Sequence, residues 1–293
     1  MNRSQDSLNR RELLNVAALT GFAAALPDRS DAAAPENQFK IIDTNVSLFQ
    51  WPFRRLPLDD TAALVGGLRH LGITQAWAGS FEGPLHRDLS AVNQRLVNEC
   101  ARYSELVPMG TINPGLHGWE EDFHLCCEKH RMTGIRIYPN YHQYTLDDPR
   151  CVQLLNSAAE NHRLVQIVVA MEDVRTQHQL VQVPDVDLSP LTKLLPSIPE
   201  LRVQILNARS SQPALSQIAA WPSVFFDTSR FDGTDGVAKL LSMTSKRQVV
   251  YGSHSPFLTP ESALIRVHES DLSEADLRAL LWENAAATTT RQL

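Results

Sequence analysis

The stretch Phe39-Lys40-Ile41-Ile42-Asp43-Thr44-Asn45-Val46 joins a β-rich apolar run to polar side chains at its carboxyl end, and similar runs recur along the chain. Their average spacing of roughly thirty residues is that of a βα unit. Eight such runs occur, at 39–46, 74–81, 106–113, 134–140, 164–171, 201–207, 224–229 and 248–253. Helical patterns separate them, for example at 61–71, 89–103, 119–130, 149–162 and 214–221, and a last amphipathic helix is predicted at 274–284.

This alternation predicts parallel strands joined by crossover helices and closed into a single (β/α)8 TIM barrel. An open doubly wound sheet is the alternative architecture. It is disfavoured because no Gly-rich phosphate loop follows the first run.

Length and charge narrow the class of protein. The 293 residues suit one barrel, which takes roughly 250, and 43% of them are apolar, enough for a large core. No run reaches the ~18 apolar residues of a membrane span. The net charge is −6, with 27 basic and 33 acidic residues and no basic stripe. We therefore expect no nucleic-acid partner and, for the mature form, no membrane partner, while a homo-oligomer stays open.

The N-terminal segment has a different character from the rest. Asn9-Arg10-Arg11-Glu12-Leu13-Leu14 precedes an apolar run at 16–26 and alanine clusters at 23–25 and 32–34. Paired arginines, a short apolar stretch and small residues are typical of a twin-arginine export signal. We expect residues 1–37 to be this signal and a linker, residues 38–293 to be the barrel, and the protein to be periplasmic. The alternative is an amphipathic N-terminal helix on a cytoplasmic protein.

Four cysteines, Cys100, Cys126, Cys127 and Cys151, fall in helical stretches. Two are adjacent, and none has the spacing of a zinc site. Buried apolar packing is their expected role.

Strand parity gathers polar side chains at the carboxyl ends of six strands. Alternate residues of a strand share a face, so several polar groups are predicted to point into the barrel lumen. A barrel interior is normally filled by branched apolar residues, and buried polar groups cost free energy unless they are hydrogen-bonded. The clustering therefore predicts a site, made of Asp43, Asn45 and Ser47; Arg136, Tyr138, Asn140 and His142; Gln166 and Glu172; Asn207, on the face of Val203 and Ile205; Asp227; and His254.

Two long loops, at 48–58 and 172–188, follow strands and so lie on the face where barrel enzymes place their sites. They and neighbouring segments supply Arg54, Arg55, Arg87, Arg136 and Arg175, with His86 at the pocket mouth and Asp88 as a helix cap. Guanidinium groups bind carboxylates through two parallel hydrogen bonds, so a small anionic substrate is expected.

Each of these residues also has a structural interpretation. The arginines could pair with Glu172, Asp173, Asp185 and Asp227, and Asp227 could pair with Arg136 or Arg230. Asp43 could brace the first loop, Gln166 could be a satisfied lumen amide, and His254 could be a structural imidazole.

Several motifs resemble the amidohydrolase-related family, a branch of the metal-dependent hydrolase superfamily. Asp43-Thr44-Asn45-Val46-Ser47 and Tyr251-Gly252-Ser253-His254-Ser255-Pro256-Phe257 resemble the two ends of its barrel. The segment at 134–141 resembles its fourth strand, and Trp282-Glu283-Asn284-Ala285 resembles its last helix. The resemblance covers residues 40–293. It implies hydrolysis of amides or lactones, or decarboxylation of aromatic acids, often with zinc or manganese.

The resemblance also implies a ligand set that this chain lacks. The family holds its metal with His-x-His after the first strand, histidines after the fifth and sixth, and an aspartate after the eighth. This chain has Asn45, Ser47, Val168 or Val169, Asn207 and His254 in those regions. Amides and hydroxyls are poor ligands for first-row metals. The chain is thus identified as a divergent member, with no cofactor and no tight catalytic metal expected, while a weakly bound divalent ion held by His254 with Asp43 or Asp227 stays open.

The expected function is a metal-independent hydrolase of a small carboxylated lactone, ester or amide. His254 or Glu172 would activate water, and Arg136 or Arg54 would polarise a carbonyl. The alternatives are a non-catalytic anion-binding protein and an aromatic-acid decarboxylase with stacking by Trp51, Phe53 and Trp77. The predicted substrate-binding residues are Asn45, Ser47, Arg54, Arg55, His86, Arg87, Tyr138, Asn140, His142, Gln166, Arg175, Asn207 and Asp227.

Overall fold

The computed structural model describes residues 40–289, and within them eight parallel strands form one sheet in sequence order. The strands are β1 Ile41–Leu48, β2 Ile73–Ser80, β3 Leu106–Thr111, β4 Gly134–Ile137, β5 Leu164–Val168, β6 Arg202–Leu206, β7 Val224–Asp227 and β8 Val249–Val250. The backbone N–H of Thr44 donates to Tyr251 O at 2.9 Å and that of Ser47 to Ser255 O at 2.9 Å, which brings β8 back to β1. The predicted (β/α)8 barrel is confirmed. The predicted export signal lies outside the described residues.

Helices follow the strands as the apolar periodicity predicts. They are α1 Thr61–His70, α2 Leu89–Cys100, α3 Trp119–His124, α4 Pro149–Glu160, α5 Leu191–Ser197, α6 Leu215–Ile218, α7 Gly236–Met243, α8 Pro260–Glu269, α9 Glu274–Arg278 and α10 Asn284–Thr289. A π-helical turn, Leu125–Lys129, continues α3, another, Ala279–Glu283, joins α9 to α10, and a 3₁₀ turn, Lys246–Gln248, precedes β8. None of the helices described is long and apolar enough to cross a membrane.

Aspartates begin several of the helices. Asp60, Asp88 and Asp148 each accept a hydrogen bond from a backbone N–H of the first turn of α1, α2 and α4. Such caps satisfy backbone donors that the helix itself leaves unpaired. The cap predicted at Asp88 is confirmed. The four cysteines are free and buried, as expected from their helical positions.

The lumen has three layers of side chains. Its floor is apolar and consists of residues such as Ile42, Trp77, Met109, Leu164 and Val250. A polar layer lies above the floor, and an aromatic layer closes the carboxyl end of the barrel. The outward faces of the strands pack against the helices and form the largest apolar cluster. This arrangement places every polar lumen residue between two apolar layers.

The parity predicted for the sixth strand is wrong in one respect. Val203 and Ile205 belong to the apolar cluster under the helices, whereas Gln204 is bonded to the polar lumen layer. Asn207 nevertheless contacts Asn45 in the lumen because its φ of +61° interrupts the extended backbone after β6. In β1 the register shifts between Asp43 and Val46, so the strict alternation of inward and outward residues is interrupted there.

Candidate functional site in the barrel mouth

Arg136 is the central cation of the polar layer. It projects from β4, is 1% exposed, and donates through Nε to Gln166 Oε1 at 2.8 Å. Nη1 donates to Val46 O at 3.0 Å and to Ser47 Oγ at 3.3 Å, and Nη2 donates to Trp77 O at 3.3 Å. Burial lowers the pKa of the guanidinium. The chain therefore supplies acceptors to most of the donors of this buried charge.

Two glutamines continue this network across the lumen. Gln166 Nε2 donates to Thr44 O and to Gln204 Oε1, both at 2.8 Å, and Gln204 Nε2 donates to Thr44 Oγ1 at 2.7 Å. Gln166 is fully buried, and both heteroatoms of its amide are bonded. This geometry favours the interpretation of Gln166 as a satisfied amide that orients Arg136.

A second network joins β1, β6 and β7. Asn45 Nδ2 donates to Asn207 Oδ1 at 2.7 Å and to Asp227 Oδ2 at 2.6 Å. Asn207 N donates to Asp227 Oδ1 at 3.1 Å, and Ser229 Oγ donates to Asn207 Oδ1 at 2.9 Å. Burial raises the pKa of Asp227 to about 6, against the effect of these donors. Within residues 40–289 Asp227 forms no ion pair with Arg136 or Arg230, so the predicted salt bridge is not found.

Asp43 braces the junction between β1 and β8. Its Oδ1 accepts from Asn45 N at 3.1 Å and from Ser253 N at 3.0 Å, while Oδ2 is buried without a hydrogen-bond partner among the described residues. Burial raises the pKa of Asp43 to about 6. The bracing interpretation given above fits this geometry.

The donor set of this layer does not fit a tightly held divalent ion. Asn45 directs its amide nitrogen at Asn207 Oδ1 and Asp227 Oδ2, the oxygens that a cation would need. No group of three or more His, Cys, Asp or Glu side chains suited to a metal occurs in the described part of the chain. Catalytic zinc takes three protein ligands, and manganese sites are rich in carboxylate or imidazole. The hydrogen-bonded amides of Asn45 and Asn207 match the ligands of neither a zinc site nor a manganese site.

His254 follows β8 with a φ of +57° and is 2% exposed. Its Nε2 lies 2.8 Å from Met171 O, and since a carbonyl only accepts, Nε2 carries the proton. Burial lowers the pKa of His254 to about 3, helped by the positive charges of Arg230 and Arg136. The imidazole is neutral at pH 7, and a group with so low a pKa is a weak general base. The geometry thus disfavours His254 as the residue that activates water.

Aromatic rings cover the polar layer. Trp51, from the β1–α1 loop, is 1% exposed and makes edge-to-face contacts with Phe53, Phe81, Tyr141 and Phe257 at centroid distances of 5.5, 5.5, 6.1 and 5.2 Å. We call these five residues the aromatic cap. The ring of His254 stacks on that of Phe257 at 5.0 Å. Edge-to-face pairs of this kind stabilise beyond their buried area.

Glu172 joins the aromatic cap to the β5–α5 loop. Its Oε2 accepts from Trp51 Nε1 at 3.1 Å, and its Oε1 pairs with Arg54. The Arg54 guanidinium carbon also lies 5.4 Å from the centroid of Phe257. Burial raises the pKa of Glu172, and Arg54 and Trp51 act against this rise. Arg54 and Glu172, both predicted site residues, therefore meet at the mouth.

Four of the predicted residues do not reach this mouth. Arg55 bonds Asp59 at 2.5 and 2.9 Å with a side chain 73% exposed, and Arg175 bonds Asp173 with a side chain 85% exposed. In both cases a carboxylate within four residues holds the guanidinium at the loop surface. The other two, His86 and Arg87, are exposed on the β2–α2 loop. The prediction that these four line the pocket is corrected.

Three predicted residues follow β4, and two of them, Asn140 and His142, contact other loops. Tyr138 is fully buried within the apolar cluster of the aromatic cap, where burial raises the pKa of its hydroxyl and the neighbouring Arg136 acts against this rise. Asn140 Nδ2 donates to Val169 O at 3.3 Å and also to Pro184 O. His142 Nε2 lies 3.2 Å from Gly83 O, and burial lowers the pKa of His142 to about 4.

A cavity of about 620 Å³ opens beside the mouth, between the β4–α4 and β5–α5 loops. Of the predicted site residues only Asn140 lines it, together with residues such as Tyr144, Asp148 and Pro184. The polar layer is therefore separated from this cavity and covered by the aromatic cap.

Sequence reasoning missed several residues of the mouth. Phe81, Tyr141 and Phe257 of the aromatic cap were not predicted as site residues, and neither was Arg209, which follows β6. Arg230, which follows β7, was considered only as an ion-pair partner of Asp227. Their positions just after strands were the available signal. Trp77, which the decarboxylase alternative offered as a stacking residue, lies in the lumen floor.

Residues 50–288 match the sequence profile of a family described as amidohydrolase. A comparison with curated protein sequences finds no significant match.

Three solved structures that are described as decarboxylases have a fold similar to that of this chain. A variant of 5-carboxyvanillate decarboxylase from Novosphingobium aromaticivorans, with manganese and 3-methoxy-4-hydroxy-5-nitrobenzoic acid, aligns at a TM-score of 0.69 and 12% identity, covering 88% of this chain and 99% of its own. A dihydroxybenzoic acid decarboxylase from Polaromonas sp. JS666, with manganese and 2-nitroresorcinol, aligns at 0.67 and 13%, covering 87% and 98%. A 2,6-dihydroxybenzoate decarboxylase from Rhizobium aligns at 0.65 and 11%, covering 87% and 100%. At these identities the similarity establishes the fold.

Proposed function

The chain belongs to the amidohydrolase family, and from this premise we propose that it is an enzyme that binds a small aromatic carboxylic acid at the barrel mouth and releases its carboxyl group as CO2. One observation carries the proposal. The mouth is closed by the aromatic cap, which packs directly against Glu172, Arg54 and His254.

The aromatic cap suits a planar ring as guest. Aromatic rings favour offset and edge-to-face contacts with other rings, and Trp51, Phe81 and Phe257 present such surfaces around one point. A guest carboxylate would need a cation nearby, and the loops at the mouth carry several arginines. The similar structures described above bind hydroxylated or nitrated benzoates and resorcinols, which supports the same substrate class here.

Decarboxylation also fits the polarity of the mouth. In this reaction the bond between the ring carbon and the carboxyl carbon breaks, the electron pair stays on the ring carbon, and that carbon takes a proton. A charged carboxylate becomes neutral CO2, so apolar surroundings favour the change. Hydrolysis would instead require an ordered water and a base beside the scissile bond.

Glu172 is the residue that we expect to supply the proton. Burial raises its pKa, which keeps a proton on the carboxyl group closer to neutral pH than an exposed glutamate would. Glu172 would donate this proton to the ring carbon and regain one from solvent after CO2 leaves. Arg136 and the Asn45–Asn207–Asp227 network would hold the lumen rigid beneath the substrate, and no step passes through a metal ion.

Hydrolysis of a carboxylated lactone or ester is the second candidate, because the raised pKa of Glu172 also suits a general base. In this case Glu172, rather than His254, would activate water. The two reactions differ in their product: one releases CO2 and the other adds water.

The test is an assay of the purified protein against a panel of hydroxybenzoates, including 2,6-dihydroxybenzoate, and a panel of lactones, with and without EDTA. CO2 release that survives EDTA and falls about a hundredfold or more in E172Q supports decarboxylation. R55Q, which alters the exposed arginine next to Arg54 in the β1–α1 loop, is the matched control and should retain wild-type activity. Lactone hydrolysis alone would favour the second candidate, and binding without turnover would indicate a non-catalytic anion-binding protein.

We also propose that residues 1–37 direct export. The support is Arg10-Arg11 ahead of a short apolar run. The R10K/R11K double variant should accumulate in the cytoplasmic fraction while the parent reaches the periplasm. Equal distribution of the two proteins would contradict export by this route.

A further inference from the structure

We propose that Arg230 and Arg209 form an anion-binding subsite at the β6–β7 side of the mouth, which takes the carboxylate of the substrate in place of Asp173. The assignment of this carboxylate rests on the proposed function. The subsite itself stands on the geometry of the two arginines.

Both arginines are presented by the buried network. Arg209 lies three residues after the end of β6 and Arg230 three residues after the end of β7. The chain before each is fixed, since Asn207 bonds Asn45 and Asp227, and Ser229 Oγ donates to Asn207 Oδ1 at 2.9 Å. Both side chains thus start from rigid points at the carboxyl ends of adjacent strands, where a barrel carries its site.

Positive charge exceeds negative charge around Asp173. Arg175 Nε donates to Asp173 Oδ1 at 2.9 Å, and Arg209 Nη2 donates to Oδ2 at 3.1 Å. Arg230 Nη2 lies 3.9 Å from the same Oδ2, beyond hydrogen-bond distance. Three guanidinium groups therefore share one carboxylate. The other carboxylates whose charge reaches Arg230 are Asp185 and Asp232, and Asp232 pairs with Arg266 at 3.2 Å.

Arg230 is the most buried arginine of this cluster and has the longest contact with Asp173. Its side chain is 11% exposed, and its guanidinium forms no hydrogen bond to any residue of the described range. Burial lowers the pKa of Arg230, and the neighbouring charge of Arg209 adds to this effect. Arginine stays protonated even so. A nearly buried cation without a hydrogen-bonded anion is costly, so an incoming oxyanion would be strongly favoured at this point.

The position of Arg230 links the subsite to the aromatic cap. Arg230 follows β7, and His254, whose ring stacks on Phe257, follows the neighbouring strand β8. A planar ring that lies against Phe257 and His254 would direct a ring carboxylate towards Arg230 and Arg209. The chemistry matches a carboxylate, which a guanidinium binds through two parallel hydrogen bonds. Asp173 would be the internal competitor that holds Arg209 when no substrate is bound.

The experiment is isothermal titration calorimetry at fixed ionic strength with three probes: 2,6-dihydroxybenzoate, its uncharged counterpart resorcinol, and inorganic phosphate. We expect R230Q to weaken 2,6-dihydroxybenzoate about tenfold or more and R209Q to weaken it several-fold, with resorcinol unchanged in both. R55Q is the matched control, because Arg55 is 73% exposed and pairs with Asp59 rather than with Asp173, and it should bind like wild type. Phosphate should bind more weakly than the carboxylate and respond to R230Q in the same direction.

Three results would overturn the subsite. The first is an unchanged affinity of R230Q for 2,6-dihydroxybenzoate. The second is an equal loss for resorcinol, which would indicate a purely structural role. The third is a wild-type protein that binds neither anion. If R230Q does not fold, the D173N variant provides the test. Removal of the Asp173 carboxylate should raise the affinity for 2,6-dihydroxybenzoate. An equal or lower affinity would refute the replacement of Asp173 by the substrate carboxylate.

The same data separate this inference from the proposed function. Binding that weakens in R230Q but is never followed by CO2 release would keep the subsite and remove the decarboxylase proposal. Turnover with the same kcat/KM in R230Q as in wild type would keep the decarboxylase and remove the subsite.

Discussion

Replacement of Arg136 by methionine tests whether the lumen is organised around its guanidinium. Methionine fills much of the same volume but leaves Val46 O, Trp77 O and Gln166 Oε1 without their donor. Each buried acceptor left unpaired costs about 1–3 kcal/mol. Relief of the desolvation cost of the buried charge offsets part of this sum. We therefore expect a loss of about 4 kcal/mol in the free energy of unfolding.

For a domain of this size a loss of about 4 kcal/mol lowers the melting midpoint by about 8–15 °C. Urea denaturation followed by tryptophan fluorescence and differential scanning calorimetry measure the two quantities. R175M is the control, because its side chain is 85% exposed, and it should stay within about 0.5 kcal/mol of wild type. An R136M protein within about 1 kcal/mol of wild type would refute the reasoning.

A double-mutant cycle sharpens the same prediction. A Cβ at Gly79 would lie 2.5 Å from Arg136 Nη1, so Gly79→Ala should push the guanidinium out of place. The cost of Gly79→Ala should fall by about 1 kcal/mol or more in the R136M background, since the clash is then removed. Equal costs in both backgrounds would show that Gly79 and Arg136 are not coupled.

Three further predictions concern pH, metal and the aromatic cap. The pKa of Asp43 is raised to about 6 from 3.8, so its contribution to stability is fully present below pH 3.8 and is lost as the pH rises through about 6. The unfolding free energy of Asp43→Asn relative to wild type should therefore rise by roughly 2–3 kcal/mol from about pH 4 to pH 7 in urea titrations, and a constant difference would contradict the shift. Added manganese or EDTA should leave the melting midpoint unchanged because Asn45 occupies the oxygens of Asn207 and Asp227, whereas a metal at a hundred times its Kd would stabilise by about 2.7 kcal/mol and shift the midpoint visibly. Trp51→Ala removes a buried ring with four aromatic neighbours and should cost about 3–5 kcal/mol while speeding association of 2,6-dihydroxybenzoate in stopped-flow mixing; slower association would argue against a cover over the mouth.

The barrel could be predicted from sequence because its signals are local. Each β-rich run and each apolar helical period depends on residues close together in the chain, and eight repeats reinforce one another. Parity also predicted that Asn45, Arg136, Gln166 and Asp227 share the lumen, as the hydrogen bonds confirm.

The prediction that alternate residues face the lumen was wrong where the backbone departs from a regular strand. Asn207 enters the lumen through a positive φ after β6, and Gln204 rather than Val203 faces inward. Neither feature follows from a two-residue period. The prediction for the surface arginines was wrong for another reason. Arg55 pairs with Asp59, four residues away, and this ion pair holds its side chain at the surface. Composition alone does not show whether an arginine pairs with a nearby carboxylate or with one that is distant in sequence.

The aromatic cap could not be predicted because its rings come from loops that are far apart in sequence. Trp51, Phe81 and Phe257 follow β1, β2 and β8, and only closure of the barrel brings them together. The same holds for Arg209 and Arg230, which follow different strands and meet at Asp173.

The cation at the centre of this barrel is part of the polypeptide. Its occupancy is one per molecule at any concentration of free ions, and chelators or a more competitive transition metal cannot displace it. A cation that is part of the chain can also do less chemistry than a bound metal ion. A guanidinium donates along fixed in-plane directions and cannot exchange a ligand or open a coordination position, as a bound metal does for its substrate. A barrel built in this way would keep its interior charge in surroundings poor in manganese or zinc, and would have to do its chemistry with side chains at the mouth.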